Sequence, residues 1–194
     1  MVSLNTNFST NTTNTFNMEK SFKSIAKDYG IYLGAVLGIL TVGAYAVNLD
    51  LFVNTLFGIS IYIIAIAFGI VAILKAKKNL DGYINFKESF TAYFVCILIG
   101  LALATFISFI IFNFIDTEAA IVLKEKSLDK IVQVYKNMNQ SEEKIAELVE
   151  KMESENLFSI KNSLISLLIN YLLPLSVIGL LIAVVMRKNK PETE

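Results

Sequence analysis

Four long apolar blocks dominate the chain: Tyr29 to Val47, Leu51 to Leu74, 88–115, and about Leu157 to Met186. Each holds at least 19 residues, and a helix needs about 20 to cross the hydrocarbon core of a bilayer. A segment in lipid must satisfy every backbone polar group internally, so blocks of this length fold as helices. The fold class expected is therefore an all-α integral membrane protein with four transmembrane helices. Only 18% of the residues are charged, against about 25% in a soluble domain, so composition points the same way.

The stretches between the blocks read as boundaries. Residues 1–17 are rich in Asn and Thr and carry no charge, which predicts a disordered polar tail ahead of a membrane domain over 18–188. Met18, followed by Lys20, Lys23 and Lys27, is an alternative start. An Asn48-Leu49-Asp50 turn separates the first two blocks, and Asp81-Gly82 marks a turn before the third. Asn85, with Glu88 three residues on, forms a capping-box pattern. A short tail, 189–194, ends the chain.

Lysine and arginine near span ends set orientation. They flank the first span on its N-terminal side, fill the turn between spans two and three, and follow span four as Arg187, Lys188 and Lys190. The 48–50 turn has none, and in 116–156 the ten acidic residues outnumber the lysines, which avoid both membrane edges. Both termini are thus expected in the cytoplasm, with 116–156 outside. A rival reading of span one is a secretory signal cleaved near Ala44-Tyr45-Ala46; the closely following second span and the glycines favour a packed helix.

The 116–156 segment predicts an extracytoplasmic amphipathic helical hairpin between spans three and four. Leu128, Ile131 and Tyr135 share a face of its first helix, and Ile145, Leu148 and Met152 a face of its second, with a break over 137–141. These faces either zip together or dock a partner protein or the membrane surface.

Small residues form rows within two spans. Gly30, Gly34 and Gly38 recur every four residues in span one, and Ala92, Cys96, Gly100, Ala104 and Ser108 do so in span three. Such rows let helix backbones approach closely in lipid, either within the chain or between chains. Span four instead holds Asn162, Ser163, Ser166, Asn170, Tyr171 and Pro174. Pro174 should kink the helix and free the Asn170 carbonyl. The polar group then either bonds to another span or lines a small cavity or hinge.

Chemistry is scarce. The chain has no histidine and one cysteine, Cys96, within an apolar block. That argues against histidine-based catalysis, Cys–His nucleophiles and most zinc sites, and no metal or cofactor is expected. With net charge zero and a single arginine, no nucleic-acid partner is expected either. No Asp, Glu, Lys or Arg is expected within any span, which disfavours ion-coupled transport.

The segments Gly82-Tyr83-Ile84-Asn85-Phe86-Lys87-Glu88-Ser89-Phe90 and Phe112-Asn113-Phe114-Ile115-Asp116 resemble motifs of a family of small bacterial four-span proteins, domain of unknown function 4199. Where that family often continues with proline, Thr117 stands here, leaving the following helix start less sharply fixed. The resemblance covers roughly 18–188 and implies the four-span architecture and a bacterial inner-membrane location, with no catalytic residue to carry over. The function expected is a non-enzymatic accessory or structural subunit of a larger membrane assembly, in contact with lipid and with other membrane proteins or its own copies. The alternative is a small transporter or channel-like protein using span four.

Overall fold

A computed structural model describes residues 6–190, with side chains from Phe22 onward. The described chain is helical, with an isolated antiparallel bridge between Ile84 and Lys188 and no strand. Four helical stretches are long and apolar enough to cross a membrane: Phe22–Val47, Thr55–Asn79, Phe86–Ile115 and Ile160–Met186. We number these spans one to four; contrary to the expectation of none, they do hold Asp, Glu and Lys residues, such as Lys27, Lys78, Glu88 and Lys161, but these stay within two turns of an end.

The boundaries differ from the apolar blocks for local reasons. Helix α1, Thr6–Val47, begins far ahead of Tyr29. Lysines do not break a helix, and extending an existing one needs no new nucleus. Of the 1–17 tail expected to be disordered, residues 1–5 lie outside the described residues, while the backbone is helical from Thr6. The second span starts at Thr55 rather than Leu51, because a short helix, α2 (Asp50–Val53), intervenes. Asn54 then caps α3 (Thr55–Asn79), its Oδ1 accepting from the Leu56 and Phe57 N–H groups at 2.8 and 3.2 Å. Span three begins with α4 (Phe86–Ile110), where Asn85 and Glu88 close a reciprocal capping box, both bonds 2.9 Å. Ser159 caps span four, which therefore starts at Ile160 and not Leu157.

Two compact units make up the chain. The first joins the residues up to Leu33, Ile64–Gly100 and the residues from Pro174. Its core is Tyr93, fully buried between Gly69 of span two and Gly179 of span four. A methyl group on either glycine would lie 2.4 Å from the ring, so neither position tolerates a side chain without a shift. At one edge, Asp81 and Gly82 turn through φ values of 55° and 83°, a conformation that favours glycine. Ile84 then exchanges backbone hydrogen bonds with Lys188 at 2.9 and 2.7 Å.

The second unit comprises Gly34–Ile63 and Leu101–Leu173. It centres on Phe112, 2% exposed, whose ring meets those of Tyr45, Phe52 and Phe158 at centroid distances of 6.2, 5.5 and 4.4 Å. Asp116 ends span three and caps α5 (Thr117–Asn137): its carboxylate accepts from the Ala119 N–H at 2.8 Å and from the Tyr45 hydroxyl at 2.9 Å. The helix start is thus sharply fixed although Thr117 is not proline. After a turn through Asn139 (φ 54°), α6 runs Glu142–Ser154 and packs back on α5.

Candidate functional site

The small-residue rows meet each other. A methyl added at Gly30 would lie 2.8 Å from Ile99 Cβ and 3.0 Å from the Cys96 carbonyl. At Gly34 it would approach Leu103 to 2.6 Å, and at Gly38 Ile107 to 2.5 Å. In return, Leu33 of span one sits against Gly100 of span three so closely that a Cβ on Gly100 would be 2.5 Å from it. Cys96 is fully buried, while Ala104 and Ser108 are half-buried. These rows therefore serve packing within the chain: the knobs at 99, 103 and 107 seat on the glycines of span one.

Span four changes helix type where its polar residues cluster. After α7 (Ile160–Ile165) the backbone widens into a π-helical stretch, Ser166–Leu172, before α8 (Leu173–Met186). Pro174 supplies the cause: it has no N–H to give the Asn170 carbonyl, and its ring crowds that oxygen. The Tyr62 hydroxyl of span two donates to the freed carbonyl instead, and the Tyr62 and Tyr171 rings stack 5.8 Å apart. The interhelical bond thus uses the Asn170 backbone. Its side-chain amide faces outward, donating to Ser166 Oγ at 3.2 Å, and among the described residues its Oδ1 accepts no hydrogen bond.

Asn170 lies ten residues into span four, about 15 Å along the helix at ~1.5 Å per residue. The hydrocarbon core is roughly 30 Å thick, so this exposed amide lies well inside the apolar span and not at its end. On the inner side, Tyr171 borders a cavity of about 140 Å³ with Thr41, Thr105 and Ser108 among apolar neighbours. That is room for several waters.

The hairpin faces are partly covered. Leu128, Ile131 and Tyr135 of α5, and Ile145, Leu148 and Met152 of α6, are all half-buried, and α6 buries no residue fully. Val134 and Met138 remain exposed. Lys126 pairs with Asp50 of α2 and holds that carboxyl below the usual carboxylate range. The Asp116 carboxyl is held down too, first by the Ala119 N–H and then by the Tyr45 hydroxyl.

Sequence reasoning did not single out Tyr93 or Tyr62, and it named Phe112 only as part of the family motif. Lone glycines at 69 and 179 form no row, and nothing in the spacing pairs them with a tyrosine on a third helix. Among the described residues, no group of three or more Cys, Asp or Glu side chains is placed to hold a metal ion.

Residues 28–188 match a family described as a protein of unknown function, DUF4199. No curated protein matches the chain, and no solved structure does.

Proposed function

The chain belongs to this DUF4199 family, and from that premise we propose a non-enzymatic accessory or structural subunit of a larger assembly in the bacterial inner membrane. Both termini are cytoplasmic in this reading, and the α5–α6 hairpin is extracytoplasmic. The observation that supports it best is the outward-facing Asn170 amide inside span four. A polar group in hydrocarbon is costly without hydrogen-bond partners, and an amide on a neighbouring transmembrane helix supplies them. Leu173, three residues on, is exposed too.

Extraction from the native membrane in mild detergent, with stoichiometry read by mass spectrometry, tests this. A larger membrane protein should co-purify in fixed ratio, and Asn170→Leu should release it without changing membrane insertion. Recovery of the wild type alone, as monomer or homo-oligomer, would overturn the subunit reading.

A second reading, a small transporter or channel, draws on the widened helix beside the cavity that Thr41, Thr105 and Ser108 border, since π-helical turns recur at functional sites. It expects solute flux in reconstituted vesicles that Asn170→Leu or Tyr62→Phe alters. Flux indistinguishable from empty vesicles removes it.

A further inference from the structure

Two clefts in the second unit are walled by the same pair of chain segments. One, about 310 Å³, is almost wholly apolar and lies between residues 102–109 of span three and 160–167 of span four. Phe106, Ile160 and Leu164 leave it open to lipid, being 59%, 64% and 51% exposed. The other, about 550 Å³, is lined by the next stretches of the same two segments, 112–124 and 154–158. It is lined by Asn113, Lys124, Glu155 and Asn156 together with Phe112 and Phe158. Asn113 ties the walls at the junction, its Nδ2 donating to the carbonyls of Phe109 and Phe158 at 3.0 and 2.9 Å.

An apolar slot between two spans, with a cleft bearing polar side chains beyond its end, matches the two parts of an amphiphile. We propose that this seam binds one zwitterionic phosphoethanolamine lipid, an acyl chain in the slot and the headgroup in the cleft. The slot has room for roughly ten methylene-sized groups, taking each as about the ~30 Å³ of a water. Charge selects the head: the cleft offers one cation and one carboxylate. Lys124 meets the phosphate with the ammonium protons left over from its bond to the Glu153 carbonyl. Glu155, steadied by the Asn162 amide at 3.2 Å, meets the lipid ammonium. An anionic glycerol headgroup would satisfy Lys124 and leave Glu155 facing negative charge. This inference does not depend on the subunit reading.

The test is native mass spectrometry of the detergent-extracted protein offered equal amounts of phosphatidylethanolamine and phosphatidylglycerol. The wild type should retain one phospholipid per chain, with phosphatidylethanolamine ahead by about threefold, the size one exposed ion pair supports. Glu155→Gln should bring the two lipids to parity or favour phosphatidylglycerol. Lys124→Gln should lower retention of both, and Ala102→Phe, which fills the slot, should abolish it while elution volume and helicity stay unchanged. Equal retention of the two lipids by the wild type would mark ordinary boundary lipid and overturn the proposal. So would a preference for phosphatidylglycerol, or a phosphatidylethanolamine preference that survives Glu155→Gln.

Discussion

Tyr93 shows how much one side chain can ask of its neighbours. Its ring fills the gap between two helices only because Gly69 and Gly179 present bare backbone to its two sides. Gly69→Ala or Gly179→Ala forces the ring or the helices apart, so each should cost about 1–3 kcal/mol, as overpacking typically does. Thermal unfolding in detergent measures this, and Gly58→Ala, where a Cβ meets nothing within 4 Å, is the control. If all three variants melt alike, the ring is not held in this way. Gly34→Leu and Gly38→Leu should likewise disturb folding of the chain itself, because those glycines already seat Leu103 and Ile107. Asn170 is the contrasting residue: its amide faces away from the chain that carries it, so its replacement should spare folding.

At the scale of elements, the junctions carry the specificity. Asp116 ends span three, caps α5 and receives the Tyr45 hydroxyl, linking three pieces of chain through one carboxylate. Both bonds favour the ionised form, and the carboxyl titrates below its ordinary value. A group depressed in this way stabilises the fold above its unfolded pKa of about 3.9, and that stability fades as pH falls through the lower folded value. Asp50, held down by Lys126, has the same sign. Melting temperature should therefore be flat at neutral pH and drop below about pH 4. Asp116→Asn, which can still accept from the Ala119 N–H, should blunt that drop, and Asp116→Ala should lower the melting point at every pH. An unchanged acid limb in both variants would show that other carboxylates set it. The Phe112–Asp116 stretch also reads differently once its surroundings are known. Phe112 is core, Asn113 bridges to the Phe158 carbonyl, Phe114 is 73% exposed, and Asp116 is the cap.

For the whole molecule, the charge pattern makes a topological prediction that accessibility can decide. Cys96 is buried, so single cysteines can be introduced against a silent background. Asn139→Cys, in the hairpin turn, should react with a membrane-impermeant maleimide added from outside the membrane that holds the chain. Lys78→Cys should react only after the inner membrane is permeabilised. The reverse pattern would invert the orientation and place the hairpin in the cytoplasm. Cleavage of a signal within span one is testable alongside, from the mass of the mature chain. Loss of the residues up to Ala46 would remove Gly30, Gly34 and Gly38, and with them the seats of Ile99, Leu103 and Ile107.

By itself the sequence determined the number of apolar helices, the two amphipathic helices between the third and fourth, and the cap at Asn85. Each of these is a local property: length of an apolar run, helical period, or a side chain within three residues of an unpaired N–H. It also flagged the Asn170 carbonyl as the one Pro174 would free, because that disruption reaches only one turn back. Tertiary structure decided which groups answer those local signals. Tyr62 is 108 residues from the carbonyl it serves, and Tyr93 fits against glycines on two other helices. The clefts at 102–124 and 154–167 exist only where spans three and four part. Contacts of that kind depend on helix rotation and register, and in an apolar bundle many residues could occupy any one place. Hydrophobic periodicity says little when every face is apolar, so the choice falls to shape: where a glycine leaves room, and which side chain fills it.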